Sequence, residues 1–355
     1  MAEAPRLYRY CAGDRGEVFA FLRETLAPDA SERLIAQWAW KYEENPFTPS
    51  AGPSISLLRI GTRLASILCG FSLPMWMGGI ECTGECRGTW ATHPAWRGRG
   101  LWSRVDDLML EGAPVLIGWA HVPAKVSRIV KFGNTPVRPL VRVLDAAAMI
   151  AHFTRSRAPQ WVGWAANLLA RATLPLPRRN NSAPGSVVRM QTFDDRFDAL
   201  WARARRRGLA MVARDHRYLN WRFRERPDES YIMYAFQRDG EIDAYLVART
   251  GIYQGMRWGY LVDFLAPEAS SDALAALIAR ALADFQAAGA VAASCHVTWT
   301  ANRSQLLRCG FLPAPQRNPV RFTHRIRPER GDLARFADLR AWYLTMGDGD
   351  LEMTP

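Results

Sequence analysis

The sequence predicts an α/β chain of the α+β kind: two tandem domains of one fold, each a mixed, mostly antiparallel sheet flanked by helices. Two observations carry this. The first is an internal repeat. "WKYEENP" at 40–46 returns as "WRFRERP" at 221–227, so Trp40, Lys41, Tyr42 and Pro46 match Trp221, Arg222, Phe223 and Pro227. Further along, "WAHVPAKVSRIVKFG" ends at Gly133 and "SCHVTWTANRSQLLRCG" ends at Gly310, which makes His121 and His296 equivalent. The offset stays between about 175 and 181 positions, the mark of a duplicated unit of domain size. The second observation is the order of elements, which is the same in both halves: helix, strands, helix, strand, helix.

The chain has 355 residues, long for one core and comfortable for two. The expected divisions are 1–154, a linker with a helix at 155–186, and 187–355. It is 49% hydrophobic and 23% charged, an ordinary globular balance. No apolar run is long enough for a transmembrane helix, and the N-terminus lacks the pattern of a signal peptide. A cytoplasmic protein is expected. The formal net charge is +12, yet lysine occurs only at Lys41, Lys125 and Lys131. Arginine supplies the rest, with no dense basic block interleaved with aromatics, which argues against a nucleic-acid partner. The six cysteines are scattered. Cys82 and Cys86 have no second pair at zinc spacing, so no metal site is expected.

The elements follow in order. "RGEVFAFLRETL" is a helix, and "SERLIAQWAWKYEENP" a second with Ser31 as N-cap. "SISLLRIGTRLASILCGFSLPMW" forms a strand pair around "GTR". "GIECTGECRGTWATHP" is extended, "GRGLWSRVDDLMLEGA" a helix and "PVLIGWAH" a buried strand. In 160–174, "QWVGWAANLLARATL" has Trp161, Trp164, Leu168 and Leu169 near one helical face. Such a face either packs against a domain, the favoured reading, or lies on a membrane surface through 160–177. In the second half "YIMYAFQRDGEIDAYLVART" is a hairpin across "RDG". "WGYLVDFLA" is a strand, "SSDALAALIARALADFQAAG" a helix closed by Gly289, and "AVAASCHV" a strand.

Between strand and helix in the first half stands "PAWRGRGLWS", 94–103. A glycine turn that opens a helix is a natural anion site. The first helical N–H groups have no internal partner, and the helix dipole adds positive charge. Gly98 and Gly100 allow a tight turn and close approach of a phosphate. Arg97 and Arg99 add charge and donors. A pyrophosphate is the expected guest. No Lys-Ser/Thr follows as in a P-loop, and the turn comes too late in its domain for a dinucleotide fingerprint.

This stretch resembles the cofactor turn of the GCN5-related N-acetyltransferases, [Arg/Gln]-x-x-Gly-x-[Gly/Ala]. Arg97 and Gly100 match its Arg and first Gly; Trp102 stands where the family has Gly or Ala. "KFGNTP" and "RCGF" resemble the family's motif after its last helix. The resemblance covers most of the chain as two copies. Only the first has the turn, since "EASSDALAALIAR" follows "WGYLVDFLAP" in the second. It implies acetyl-CoA as cosubstrate and a small amine as acceptor. Tandem copies with one cofactor site look like bacterial acetyltransferases of polysaccharide and amino-sugar biosynthesis.

The resemblance further implies that Trp90, Ala91 and Thr92 line the acetyl and pantetheine arm. Arg97, Gly98, Arg99, Gly100, Leu101, Trp102 and Ser103 would hold the pyrophosphate. It implies a base among Glu85 and Glu81, on one face of a strand, or His121 at the end of the next strand. The structural alternatives are a solvated hairpin for the two acids and a packing role for His121, because His296 holds the same place in the half without the turn. The family's tyrosine acid has no counterpart, since Ile129 falls there. Asp348 and Asp350 are either binders of a cationic amine or a solvated tail. A transferase of the peptidoglycan bridge-forming kind, or a catalytically degenerate binding module, are the competing functions; the glycine turn speaks against the former. Oligomeric state cannot be read from the sequence.

Overall fold

The computed structural model describes residues 4–120, 133–154, 165, 167, 168, 185–206, 208–314 and 320–349. The first half opens with β1 (Arg6–Arg9), α1 (Arg15–Thr25) and α2 (Pro28–Ala36). Pro28 occupies the first turn of α2, where its missing N–H costs nothing, so the helix starts one turn before the expected Ser31. Ser31 is therefore not the N-cap; it is buried, and its hydroxyl donates to the Pro28 carbonyl at 2.9 Å. After α2 the chain tightens into a π-helical turn, Ala39–Glu43.

An antiparallel meander follows: β2 (Ile55–Ile60), β3 (Arg63–Met77) and β4 (Ile80–Thr92). Then α3 (Leu101–Gly112) packs Leu101, Val105 and Met109 onto one face of the sheet. β5 (Val115–Ala120) lies parallel to β4. These bounds match the expected elements because apolar alternation and turn glycines act locally. The helix expected before Gly133 lies outside the described residues, and Gly133 itself begins a strand, β6 (Gly133–Pro136).

β7 (Leu140–Val143) and α4 (Ala146–Thr154) lead to the second half. This comprises β8 (Ser186–Met190), α5 (Arg196–Ala204), β9 (Ala210–Val212), α6 (His216–Leu219) and a second π-turn, Asn220–Arg224. The meander recurs as β10 (Ile232–Arg238), β11 (Glu241–Tyr253) and β12 (Met256–Leu265), followed by α7 (Ser271–Ala287) and β13 (Ala292–Cys295). The chain ends with α8 (Thr300–Arg308), β14 (Leu312–Pro313), β15 (Arg321–Ile326) and β16 (Trp342–Tyr343).

The strands form two sheets, and the halves exchange strands between them. The first runs β1-β2-β3-β4-β5-β15-β6, with β9 on β3 and β16 on β9; the second runs β14-β7-β13-β12-β11-β10-β8. A cut of the chain at 154 and 187 therefore does not separate the sheets. β15 covers the open edge of β5, with Phe322 opposite Trp119, and β7 covers that of β13, with Leu140 opposite Cys295. The reason is edge protection: each parallel end-strand would otherwise present unpaired main chain to water. One core spans both halves, holding Trp38, Phe71, Trp221 and Trp342. Smaller cores lie under α3 and α7. Of the proposed linker helix, Asn167 caps α4 by accepting from the Ala146 N–H at 2.6 Å, and Leu168 is exposed. Trp161, Trp164 and Leu169 lie outside the described residues. No helix among the described residues is long and apolar enough to cross a membrane.

Candidate functional site

The centre of the first sheet is a pair of strands that part. β4 and β5 pair only over Glu85–Arg87, opposite Leu116–Gly118. Beyond Arg87, β4 stays with β3 as far as Thr92, while β5 stays with β15 as far as Ala120. A bulge sharpens the divergence: Leu68 faces Trp90 but Gly70 faces Arg87, so β4 carries one extra residue there. The result is a notch. Along it the main chain of Gly88–Thr92 has a partner strand on one side only, among the described residues. Trp90 is 52% exposed beside this edge, Ala91 is buried and Thr92 is half-buried.

The glycine turn closes the open end of the notch. After a 3-10 turn at Pro94–Trp96, Gly98 has φ 77° and Gly100 φ 69°, and Gly100 caps α3 in the left-handed conformation. A Cβ at either glycine would meet nothing within 4 Å. Backbone conformation therefore demands these glycines, and the space above them is open. Among the described residues the N–H groups of Gly98, Arg99, Gly100 and Leu101 donate to no backbone carbonyl. Ser103 turns inward, its hydroxyl donating to the Gly100 carbonyl at 2.8 Å. Arg97 is less free than the sequence suggested: its Nε donates to the Thr92 carbonyl at 3.1 Å and ties the turn to the end of β4. Arg99 is exposed. Leu101 is buried and offers only its main chain. The Trp102 ring packs 6.1 Å from that of Trp90 at 55°, forming an aromatic wall beside the notch.

The two candidate acids separate. Glu85 is 2% exposed, in the first of the three rows that β4 shares with β5, two residues before the row at which the strands part. Its Oε1 accepts from the Ser72 hydroxyl at 2.8 Å, and its Oε2 has no hydrogen-bond partner among the described residues. Burial raises its pKa to about 7, against weaker opposing effects of the Ser72 and Ser54 hydroxyls and the Arg9 charge. Glu81, four residues earlier on the same face, has a side chain 75% exposed and pairs with Arg205 at 2.9 Å. The strand spacing puts the two roughly 13 Å apart, so they do not act as a dyad. His121 lies outside the described residues; its counterpart His296 is buried. Ser72 was not foreseen, because nothing in the local sequence shows which residue lies across the ladder.

Two rows from Glu85 along the ladder, Pro74 stands opposite Thr83. Both line a cleft of about 470 Å³ between the halves, with Phe47, Trp76, Glu81 and Asp215. Of the two repeated tryptophan segments, only Pro46 is in its lining. Trp40 and Trp221 stack on each other instead.

In the second half the corresponding notch is filled by the chain itself. β12 and β13 pair over Trp258–Leu261 and Ala292–Cys295. Beyond that row the C-terminal segment 342–349 lies between them. The Tyr343 hydroxyl donates to the Phe264 carbonyl, the Thr298 N–H donates to the Leu344 carbonyl at 3.1 Å, and Thr345 bridges to Val297. Asp348, considered above as an amine binder or a solvated tail, is 1% exposed. It pairs at 2.8 Å with the buried Arg214, which also holds Asp263 at 3.0 Å. Burial raises the Asp348 carboxyl despite Arg214. It is a structural anchor, unavailable to a ligand. Asp350 lies outside the described residues. The helix after this notch begins with Glu268 and Asp272 nearby and has no left-handed glycine.

No family model matches the sequence, and no curated protein matches it. Solved structures do. The chain superposes on N-myristoyltransferase of Saccharomyces cerevisiae with bound myristoyl-CoA at TM-score 0.57 and 15% identity, covering 92% of this chain and 81% of that one. It also superposes on a GCN5-related N-acetyltransferase from Kribbella flavida at TM-score 0.55 and 16% identity, covering 92% and 71%. The chain has the GCN5-related N-acetyltransferase fold, in two tandem copies. A protein from Enterococcus faecalis V583, described as a probable N-acyltransferase, is similar at TM-score 0.55 and 13% identity, covering 91% and 72%. At these identities the likeness is one of fold. Within the GCN5-related fold, the first copy keeps an open notch and glycine turn, and the second copy has closed both.

Proposed function

We propose that the protein is an acyl-CoA-dependent N-acyltransferase, with acetyl-CoA as donor and a small amine as acceptor, an amino sugar or nucleotide-sugar among the candidates. One observation carries the reading: the parted β4 and β5 lead into the glycine turn, in one copy only. An acyl-CoA bound there supplies the thioester that the amine attacks. The chain's own groups then have distinct tasks. The free N–H groups of Gly98–Leu101 and the dipole of α3 hold the pyrophosphate. The one-sided main chain of Gly88–Thr92 holds the pantetheine arm as an added strand, and an N–H of that stretch faces the developing oxyanion. Trp90 and Trp102 shield the arm from water. The cleft between the halves takes the acceptor, with Glu81 and Asp215 favouring a cationic amine. Glu85, near pH 7 in its titration, receives the amine proton. It stands three residues before the open stretch, roughly 10 Å along the strand, so the proton reaches it through water in the notch.

The test is calorimetric titration of the chain with acetyl-CoA and with a longer acyl-CoA, followed by thiol release across a panel of amines. One site per chain is expected, with amine-dependent thiol release. Absence of binding by every acyl-CoA overturns the reading; two sites overturn the silence of the second copy.

A further inference from the structure

A second cleft, of about 580 Å³, lies near the β3–β4 turn, where Gly78 bonds to Leu209 and Arg335 of its lining, at the other end of β4 from the glycine turn. β4 has 13 residues, so the two places are roughly 40 Å apart along the strand. Arg206 lines this cleft from one stretch of chain and Arg335 and Arg340 from another, beside Trp299 and Asp338. Two of the three guanidinium groups are held in place. Arg206 stands 5.5 Å from the Trp299 ring centre and pairs with Glu268 at 2.8 Å. Arg335 lies 4.7 Å from the Phe336 ring centre and donates to the Gly78 carbonyl at 3.0 Å. The loop carrying Arg340 is pinned by Asp338, whose carboxylate accepts from the Arg340 N–H at 2.9 Å.

Three guanidinium groups stand here against two carboxylates, Asp338 in the lining and Glu268 on Arg206, so the cleft is left net positive. Among the described residues, neither Arg335 nor Arg340 has a carboxylate within ion-pair distance. Glu268 is taken up by Arg206, whereas Asp338 spends one oxygen on the Arg340 backbone N–H and otherwise faces the same cleft. Guanidinium groups stay charged at any physiological pH, so a cleft lined by three of them attracts an anion. Guanidinium forks match the oxygens of a phosphate, which offers more acceptor atoms to three arginines than a single carboxylate does. The volume exceeds that of a bare phosphate and falls in the range of small-molecule sites.

We propose that this cleft binds a phosphate-bearing small molecule, a phosphate monoester or diphosphate, through Arg206, Arg335 and Arg340. The site is separate from the notch and rests on no assumption about acyl transfer.

The test uses the full chain at low salt, titrated with inorganic pyrophosphate and with AMP. Three proteins are compared: wild type, Arg335→Gln/Arg340→Gln and Gly100→Glu. The two arginines are exposed, and an unchanged melting temperature shows that the double variant folds. Affinity is expected to fall at least tenfold in the double variant and to persist in Gly100→Glu, whose blocked turn removes the other anion site. Wild-type affinity retained in the double variant overturns the proposal. So does loss of all binding in Gly100→Glu, or no binding by wild type.

Discussion

Trp40 and Trp221 stack on each other with ring centres 5.2 Å apart and planes 22° apart. Each indole N–H donates to the other's backbone carbonyl, at 2.9 and 3.2 Å. The two residues are equivalent members of the repeat, each in a π-helical turn. They mark the axis on which the duplicated halves meet, and the reciprocal bonds are what a two-fold relation produces.

Truncation of either ring removes a large buried contact and deprives the partner's backbone carbonyl of its indole donor. Trp221→Ala is expected to lose about 3–5 kcal/mol of stability. A cycle with Trp40→Ala should show coupling of about 1 kcal/mol or more between the two. Urea unfolding of the four proteins measures this, and additive losses would show that the stack is incidental.

Glu85 makes stability and activity depend on pH in opposite directions. Burial moves its carboxyl from 4.5 to about 7. The folded chain keeps this proton up to about pH 7, whereas the unfolded chain releases it near 4.5. The group's contribution to stability is therefore whole below pH 4.5 and is lost as pH rises to 7. Glu85→Gln should flatten that decline, gaining on wild type by about 3 kcal/mol at pH 8. In activity, kcat/KM of wild type should rise through an apparent pKa near 7. The variant should lose that limb along with roughly 10²–10⁴-fold in rate. Melting curves and rate profiles from pH 5 to 9 test both; an unshifted wild-type profile would remove Glu85 from the base role.

Gly100 separates conformation from charge. Because a Cβ there meets nothing, Gly100→Ala should pay only the strain of a left-handed residue, about 1 kcal/mol, and keep its donor N–H groups. Donor affinity should fall little. Gly100→Glu sets a carboxylate at the helix N-terminus and should abolish binding. Equal losses in both variants would show that the turn is not an anion cradle.

Arg214 lies between two buried carboxylates, Asp263 and Asp348. Arg214→Met leaves both without their cation and should destabilise the chain by about 3–5 kcal/mol. It should also release the C-terminal segment from the second notch, read as faster amide exchange at Leu344 and Thr345. A stable variant with slow exchange there would show that the segment is held by packing alone.

Most elements of each half were legible in the sequence, because strands, turns and helix ends follow from neighbours in the chain. The glycine turn was legible for the same reason: two left-handed glycines before an apolar helix form a local pattern. The repeat was legible in the Trp40 and Trp221 segments, though not their mutual stacking. Glu85 and Glu81 looked alike, and only the ladder distinguished them. One is shut between Ser72 and Leu116; the other is held at the rim by Arg205.

What the sequence determined by itself was the fold of each copy and the asymmetry between them, since both rest on contacts a few residues long. The tertiary structure alone decided where each sheet ends, which carboxylate is buried, and how the second notch is closed. β15 enters the first sheet, β7 the second, and Tyr343–Asp348 settles beside Asp263. Each depends on pairing between residues far apart in the chain, and edge covering and charge burial have energies that no local pattern records.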